Sequence, residues 1–287
     1  MARRTFLGVA AAGALAACAP NPSGGAAATD GAGRAATTAS AASATSSPPA
    51  ADGTTVAVTT APVATAPPTA AAAASTAAPI TAANAGGGPA VFVPNGPRTV
   101  AQVALTFHAN GDVGLATRLL DVLKQRGVHV TVFGVGSWLT ANPAIVRRML
   151  DEGHEVANHT WSHQTMGPLG RAVVADEIKR CADALAALTG SISPWFRPSG
   201  IEVPTPLILE EAGKVGYRTS VGYDVDSLDF QDPGARAVVA NVAAKVRNGA
   251  IVSVHFGHTN TVEAMPALLD LLASKNLAPV TVGRLLA

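Results

Sequence analysis

The chain has 287 residues, with 20 Lys and Arg against 19 Asp and Glu and a formal net charge of +1. So balanced a charge offers no basic patch for nucleic acid, and 4% aromatic residues leave few rings on which bases could stack. The 48% hydrophobic content overstates the core, because alanines of a low-complexity N-terminal stretch supply much of it.

Residues 1–18 read as an export signal. Arg3-Arg4-Thr5-Phe6-Leu7 is a charged start with a twin-arginine look, and Gly8 to Ala17 is a short apolar run. A membrane span needs about 20 apolar residues, more than this run contains. Leu15-Ala16-Ala17-Cys18 is similar to the lipobox of bacterial lipoproteins. That similarity implies cleavage before Cys18, a diacylglycerol on its sulfur, and attachment to the outer face of the cell membrane. The alternative is an ordinary secretory signal and a secreted protein. The other cysteine, Cys181, lies on an apolar stripe with Val174, Ile178, Leu185 and Leu188, which suits a buried thiol better than a nucleophile.

Residues 19–94 form a linker. From Ala19 to about Pro89 the chain is almost entirely Ala, Thr, Ser, Pro and Gly. Such a stretch buries too little apolar surface to offset the entropy of ordering, so disorder is predicted. A flexible coil of about 70 residues reaches on the order of 45–50 Å, a tether for an anchored domain. Order is expected to begin near Val91-Phe92-Val93, and residues 95–287 form one domain.

In that domain short apolar runs alternate with helical stripes. Strands are predicted at 103–107, 130–136, 155–160, 195–198, 218–226, 250–256 and 279–282, and helices near 115–126, 142–152, 171–189, 204–215, 234–247 and 261–275. Gly127, Gly153, Gly190 and Gly216 stand where helices should stop. Strand–helix alternation predicts a parallel sheet covered by helices, either a barrel or an open sheet, with its site at the C-terminal ends of the strands.

Polar clusters follow successive strands there. Thr106-Phe107-His108-Ala109-Asn110-Gly111-Asp112 follows the first, and His159-Thr160-Trp161-Ser162-His163 the third. Arg197-Pro198-Ser199-Gly200 follows the fourth, Asp224, Asp226 and Asp229 the fifth, and His255 and His258 the sixth. Histidines four apart converge on one ion if they share a helical turn, although the spacing alone also fits two unrelated surface histidines. Five clusters at one end of the sheet favour a common pocket.

The set resembles the polysaccharide deacetylase family, the NodB-homology domain of carbohydrate esterases, over about residues 100–285. The family's Thr-Phe-Asp-Asp-Gly corresponds to Thr106–Asp112, and its His-Ser/Thr-x-x-His to His159–His163. Its Arg-Pro-Pro-Tyr-Gly corresponds to Arg197-Pro198-Ser199-Gly200, its Asp-x-x-Asp-Trp to Asp226-Ser227-Leu228-Asp229-Phe230, and its last strand to Ile251-Val252-Ser253-Val254-His255. The resemblance implies an α/β fold, a distorted (β/α)7-type barrel, one divalent metal, and hydrolysis of an N- or O-acetyl group on a saccharide. Zinc is the expected metal, with His159, His163 and Asp112 as ligands.

It also implies that His255 protonates the leaving amine, that Asp229 orients it, and that Arg197 pairs with the base or with Asp112. Gly200, Asp226, Trp161 and His258 are the expected substrate contacts. The first motif departs from the family's pattern. His108 and Ala109 replace the paired aspartates, so His108 and Asp112 compete for the roles of base and third ligand. The expected activity is deacetylation of a cell-envelope polysaccharide, a peptidoglycan-type glycan foremost. The alternatives are a catalytically impaired saccharide-binding lipoprotein and a hydrolase of non-sugar C–N bonds.

Overall fold

The computed structural model describes residues 88–287; the expected signal, Cys18 and the linker through residue 87 lie outside them. The strands are β1 (Val91–Val93), β2 (Gln102–Ala109), β3 (Thr131–Gly134), β4 (Glu155–Asn158), β5 (Trp195–Phe196), β6 (Thr219–Val221), β7 (Val225–Asp226), β8 (Ala250–His255) and β9 (Ala278–Val280). The helices are α1 (Val113–Gln125), α2 (Gly136–Ala141), α3 (Pro143–Asp151), α4 (Arg171–Thr189), α5 (Pro206–Val215), α6 (Ala235–Lys245), α7 (Thr259–Ser274) and α8 (Val282–Leu285). Every strand pair is parallel, in the order β1-β6-β5-β4-β3-β2-β8-β7, with β9 added to β2. The sheet curls into the expected distorted barrel.

Side-chain alternation divides the core into a lumen and an outer layer. On β2, Val103, Leu105 and Phe107 face outward into one large cluster, together with Leu119, Leu120 and Leu123 of α1 and Met265, Leu268 and Leu272 of α7. Ala104 faces inward, beside Phe133, Ala157, Val221 and Ile251. Each fully buried Leu or Phe is worth about 1.5–3 kcal/mol of transfer free energy, so the outer layer carries much of the stability. The bottom of the lumen is closed by α8, whose Val282 and Leu285 join the inner cluster. Glu155 fixes this plug by accepting from the Thr131 hydroxyl at 2.7 Å and from the Gly283 N–H at 3.1 Å.

The structure differs from the predicted elements in three places. The strand expected over 218–226 divides into β6 and β7, which lie at different ends of the curled sheet. Residues 222–224 cross the seam, where Val93 and Ile251 carbonyls accept the Gly222 and Asp224 N–H groups. The strand expected over 130–136 ends at Gly134, and a short unpredicted helix, α2, follows. The stretch 279–282 stops at Val280 because the Thr281 side chain caps α8.

Candidate active site

Parallel register sets the floor of the site. Thr106 pairs with Ser253, and one rung nearer the C-terminal end His108 pairs with His255. These four side chains share the inner face, since their neighbours on both strands point into the outer core. The His159–His163 segment follows β4 and is not helical: Thr160 and His163 have φ of 66° and 63°. Non-glycine residues rarely adopt such angles unless surrounding contacts hold them.

Those contacts come from residues outside the histidine motif. Asn158 accepts the Thr160 N–H at 2.9 Å and donates to the Ile178 carbonyl and the Tyr217 hydroxyl. Glu177, buried on α4, accepts the N–H groups of Trp161 and Ser162 at 3.0 and 2.9 Å and the Ser162 hydroxyl at 2.6 Å. Ser199 joins Thr160 at 2.9 Å. Sequence reasoning passed over all three. Glu177 left a signal: it is a carboxylate among Val174, Ile178 and Cys181 on one helical stripe. A charge there needs buried donors.

Four histidine rings converge. His108 lies 4.4 Å from His159 and 4.5 Å from His255 between centroids, and His159 lies 5.1 Å from His163. His159 donates from Nδ1 to the Arg197 carbonyl at 2.9 Å, leaving Nε2 buried with no partner. An imidazole oriented in this way presents a free lone pair, the arrangement a metal ligand requires. Burial first, and neighbouring His163 second, hold the His159 pKa well below its ordinary value. For His163, whose surface is partly open, desolvation and then His255 lower it.

His108 is differently engaged. Its Nε2 lies 2.9 Å from Nη1 of Arg197, and a guanidinium only donates, so Nε2 accepts and the ring is neutral. Burial, followed by His159 and His255, keeps its pKa well below the imidazole range. His108 therefore has no basic nitrogen left to face a substrate. Arg197 is 2% exposed and has no carboxylate in contact. It donates to the Val221 and Gly222 carbonyls and to Thr106, and it stacks 4.1 Å over the Phe133 ring. Desolvation brings its pKa down to about 9.

His255 forms the other half of the site. Asp229, fully buried, accepts from His255 Nδ1 and from the His255 backbone N–H, both at 2.7 Å. Ser227 and Thr261 add hydroxyl donors to the same carboxylate. Burial pushes the Asp229 carboxyl up, but the His255 and Thr261 hydrogen bonds outweigh it and leave the pKa below the ordinary value. Nε2 of His255 is thereby turned away from Asp229, free to deliver a proton. Phe230, at the family's Trp position, lies 5.3 Å from the His255 ring.

The remaining site expectations fall in varied places. Asp112 is exposed and caps α1, its Oδ1 accepting the Leu115 N–H at 2.8 Å. Among the described residues no three His, Cys, Asp or Glu side chains are gathered closely enough to hold a metal. Trp161 lies against Gly136 with Arg180 4.4 Å over its ring, in an apolar groove between α2 and α4. Gly200 has φ of +64° and its backbone packs against Thr165. His258 is 6.2 Å from His255 and pairs with Asp232 at 3.0 Å. Asp224 is tied to Arg98, Arg247 and the Ile251 N–H, while Asp226 faces the lumen. Cys181 is buried, its thiol pushed up to about 12 by desolvation.

A family model described as polysaccharide deacetylase matches residues 95–220. The chain is 34% identical over 157 residues to a chitooligosaccharide deacetylase of Bradyrhizobium, covering 55% of this chain and 71% of the relative. It is 31% identical over 198 residues to the peptidoglycan-N-acetylglucosamine deacetylase PgdA of Listeria monocytogenes, covering 68% of this chain but only 41% of that longer protein. Among solved structures it is similar to a mutant of a CE4 family pseudoenzyme from Bacillus anthracis, described as having restored enzymatic activity. That match has a TM-score of 0.64 and 25% identity, covering 69% of this chain and 71% of the other. With a buried Asp–His pair among three further imidazoles at the mouth of a parallel barrel, this chain belongs to the polysaccharide deacetylase family, hydrolases of the acetyl amide C–N bonds of sugars.

Proposed function

We propose that this chain removes N- or O-acetyl groups from a cell-envelope polysaccharide, with a peptidoglycan-type glycan as the first substrate to test. The observation that carries the reading is the Asp229–His255 pair 4.5 Å from the His108 ring, which lies 4.4 Å from His159 with His163 beside it. Deacetylation needs an acid for the leaving nitrogen, and an imidazole oriented by a buried carboxylate can supply it. The activities of the Bradyrhizobium and Listeria relatives support an amino-sugar substrate.

Deacetylases of this family depend on a metal, and the residues present fit one at two positions. Nε2 of His159 is a buried lone pair without a partner, and His163 stands beside it. Asp112, whose Oδ1 caps α1, is the proposed third ligand. Zinc is the proposed ion, and when bound it would polarise the acetyl carbonyl and acidify water. Asp229 accepts from Nδ1 of His255 and orients the ring, the doubly protonated ring gives its Nε2 proton to the departing nitrogen, and Arg197 fixes the His159 and His108 rings. Gly200 is the proposed oxyanion donor, with Asp226, Trp161 and His258 the proposed glycan contacts.

One specific observation favours a second reading, a glycan-binding protein of impaired activity. The side chain in the base position, His108, is held neutral by Arg197. Metal content, followed by acetate release from acetylated wall glycan and chitooligosaccharides, separates the two. Release that depends on His255 and on added zinc supports the hydrolase. Glycan binding without acetate under any divalent metal supports the binder.

We further propose export and anchoring through lipid on Cys18. Radiolabelled palmitate should enter the wild-type chain and not C18A; equal labelling would remove the anchor from the proposal.

A further inference from the structure

We propose that Asp226 is the general base of this site, taking the place that His108 cannot fill. The inference rests on the deacetylase reading. It begins with what is unavailable: Nε2 of His108 accepts from Arg197, and Asp112 is exposed at the start of α1. Both oxygens of Asp229 are bonded, to His255 and Ser227 on one side and to His255 and Thr261 on the other. Glu155 is sealed at the barrel bottom by Thr131 and Gly283.

Asp226 remains. On β7 its neighbour Val225 faces the outer core, so Asp226 faces the lumen, in register with Ser253 of β8. Ser253 is two residues before His255 on the same face, and its hydroxyl is buried without a partner. Asp226 Oδ1 accepts the Leu228 N–H at 2.9 Å, which tilts the carboxylate toward the C-terminal end of the strand, where His255 stands. Oδ2 has no protein partner among the described residues. The carboxylate is half-buried near His255, Arg197 and Tyr223, and burial raises its pKa, which makes it a stronger base than a solvated aspartate.

Asp226 Oδ2 takes one proton from a water whose oxygen forms a bond to the acetyl carbonyl carbon. The C–N bond then breaks as the nitrogen takes the Nε2 proton of a doubly protonated His255, which is left neutral. Acetic acid and the free amine leave, and the proton on Asp226 returns to His255 through solvent.

Asp226 also has a plain structural use, because its Oδ1 anchors the turn at Leu228, a non-glycine residue with φ of 55°. Asparagine keeps that acceptor and removes the base. The test is therefore D226N beside D226A, with acetate release measured on the substrate that the wild type cleaves best. We expect D226N to lose kcat by about 10²-fold or more with KM nearly unchanged, and formate to restore part of the activity of D226A. In D226N/H108D the carboxylate at the Arg197 side should restore turnover lost in D226N.

D226N with wild-type turnover, while D226A is impaired and unresponsive to formate, would leave Asp226 a turn anchor and overturn the proposal alone. A wild type that releases no acetate overturns the deacetylase reading and this inference with it.

Discussion

At the residue scale the decisive feature is one imidazole beside one guanidinium. A buried arginine is normally compensated by a carboxylate, and leaving it without one costs several kcal/mol in desolvation. Arg197 meets that cost with two carbonyls, a hydroxyl, an aromatic face and the lone pair of His108. H108D would place a carboxylate against the guanidinium, raise the Arg197 pKa from about 9, and add a second base. We expect kcat to rise on the order of tenfold, about 1.4 kcal/mol off the barrier, with a higher melting temperature. Unchanged acetate release together with unchanged melting would show that the Arg197–His108 contact does not limit the site.

Glu177 makes a prediction of the same kind. Its carboxylate collects two backbone N–H groups and the Ser162 hydroxyl, and so it shapes the segment that ends in His163. In E177Q an amide NH2 must face one of those donors. Hydrogen bonds to charged groups are worth about 1.5–3 kcal/mol. Outer-shell losses commonly cost about 10–100-fold in metal affinity. Titration calorimetry with zinc should show a loss of that order while circular dichroism stays unchanged. Equal affinity would mean that the loop keeps its shape without the charge.

At the scale of elements, the site depends on loops that rigid strands hold from below. The turn after β5 brings Gly200 against Thr165, and a Cβ there would lie 2.8 Å from the Thr165 Cα at a φ of +64°. G200A therefore combines a left-handed strain of roughly 1–2 kcal/mol with a backbone clash. We expect a loss of about 2–4 kcal/mol in urea unfolding, and weaker acetate release from any folded fraction. A loss below about 0.5 kcal/mol would mean that the 165 and 200 backbones separate at little cost.

Sequence legibility divides along the same line. The 3.6-residue stripe of α4 was readable because it reflects a solvent boundary along the helix, and β2 because it is a short apolar run buried on both faces. The division of 218–226 into β6 and β7 was not, since Val221 and Val225 read as parts of one strand and nothing local marks a barrel seam. Nor was the irregular path of His159–His163, whose positive φ values depend on Asn158, Glu177 and Ser199 arriving from other elements.

At the scale of the whole molecule, acid stability tests how the barrel buries its histidines. His154 is 5% exposed. Its Nδ1 accepts the Val130 N–H at 3.2 Å, while Nε2 lacks a partner. Burial first, then His129, lowers its pKa from 6.5 to about 4. The folded value lies below the unfolded one, so the unfolded chain takes up this proton first. Stability is full above about pH 6.5 and falls as the pH drops toward about 4, by about 3 kcal/mol in all at 1.36 kcal/mol per unit. Unfolding free energies between pH 7 and 4.5 should show this slope in the wild type and a flatter one in H154N, and equal slopes would assign the loss to other groups.

The sequence by itself determined the alternation of strands and helices, the order of the five polar clusters and the family they point to. These properties are written in local periodicity and in residue identity. Only the tertiary structure decided which of those polar groups are free to act. His108 lost its lone pair to an arginine 89 positions away, and Asp226, on β7 at the seam of the sheet, kept an oxygen without a partner among the described residues. Hydrogen-bond partners and desolvation are set by neighbours in space, and no reading along the chain supplies them.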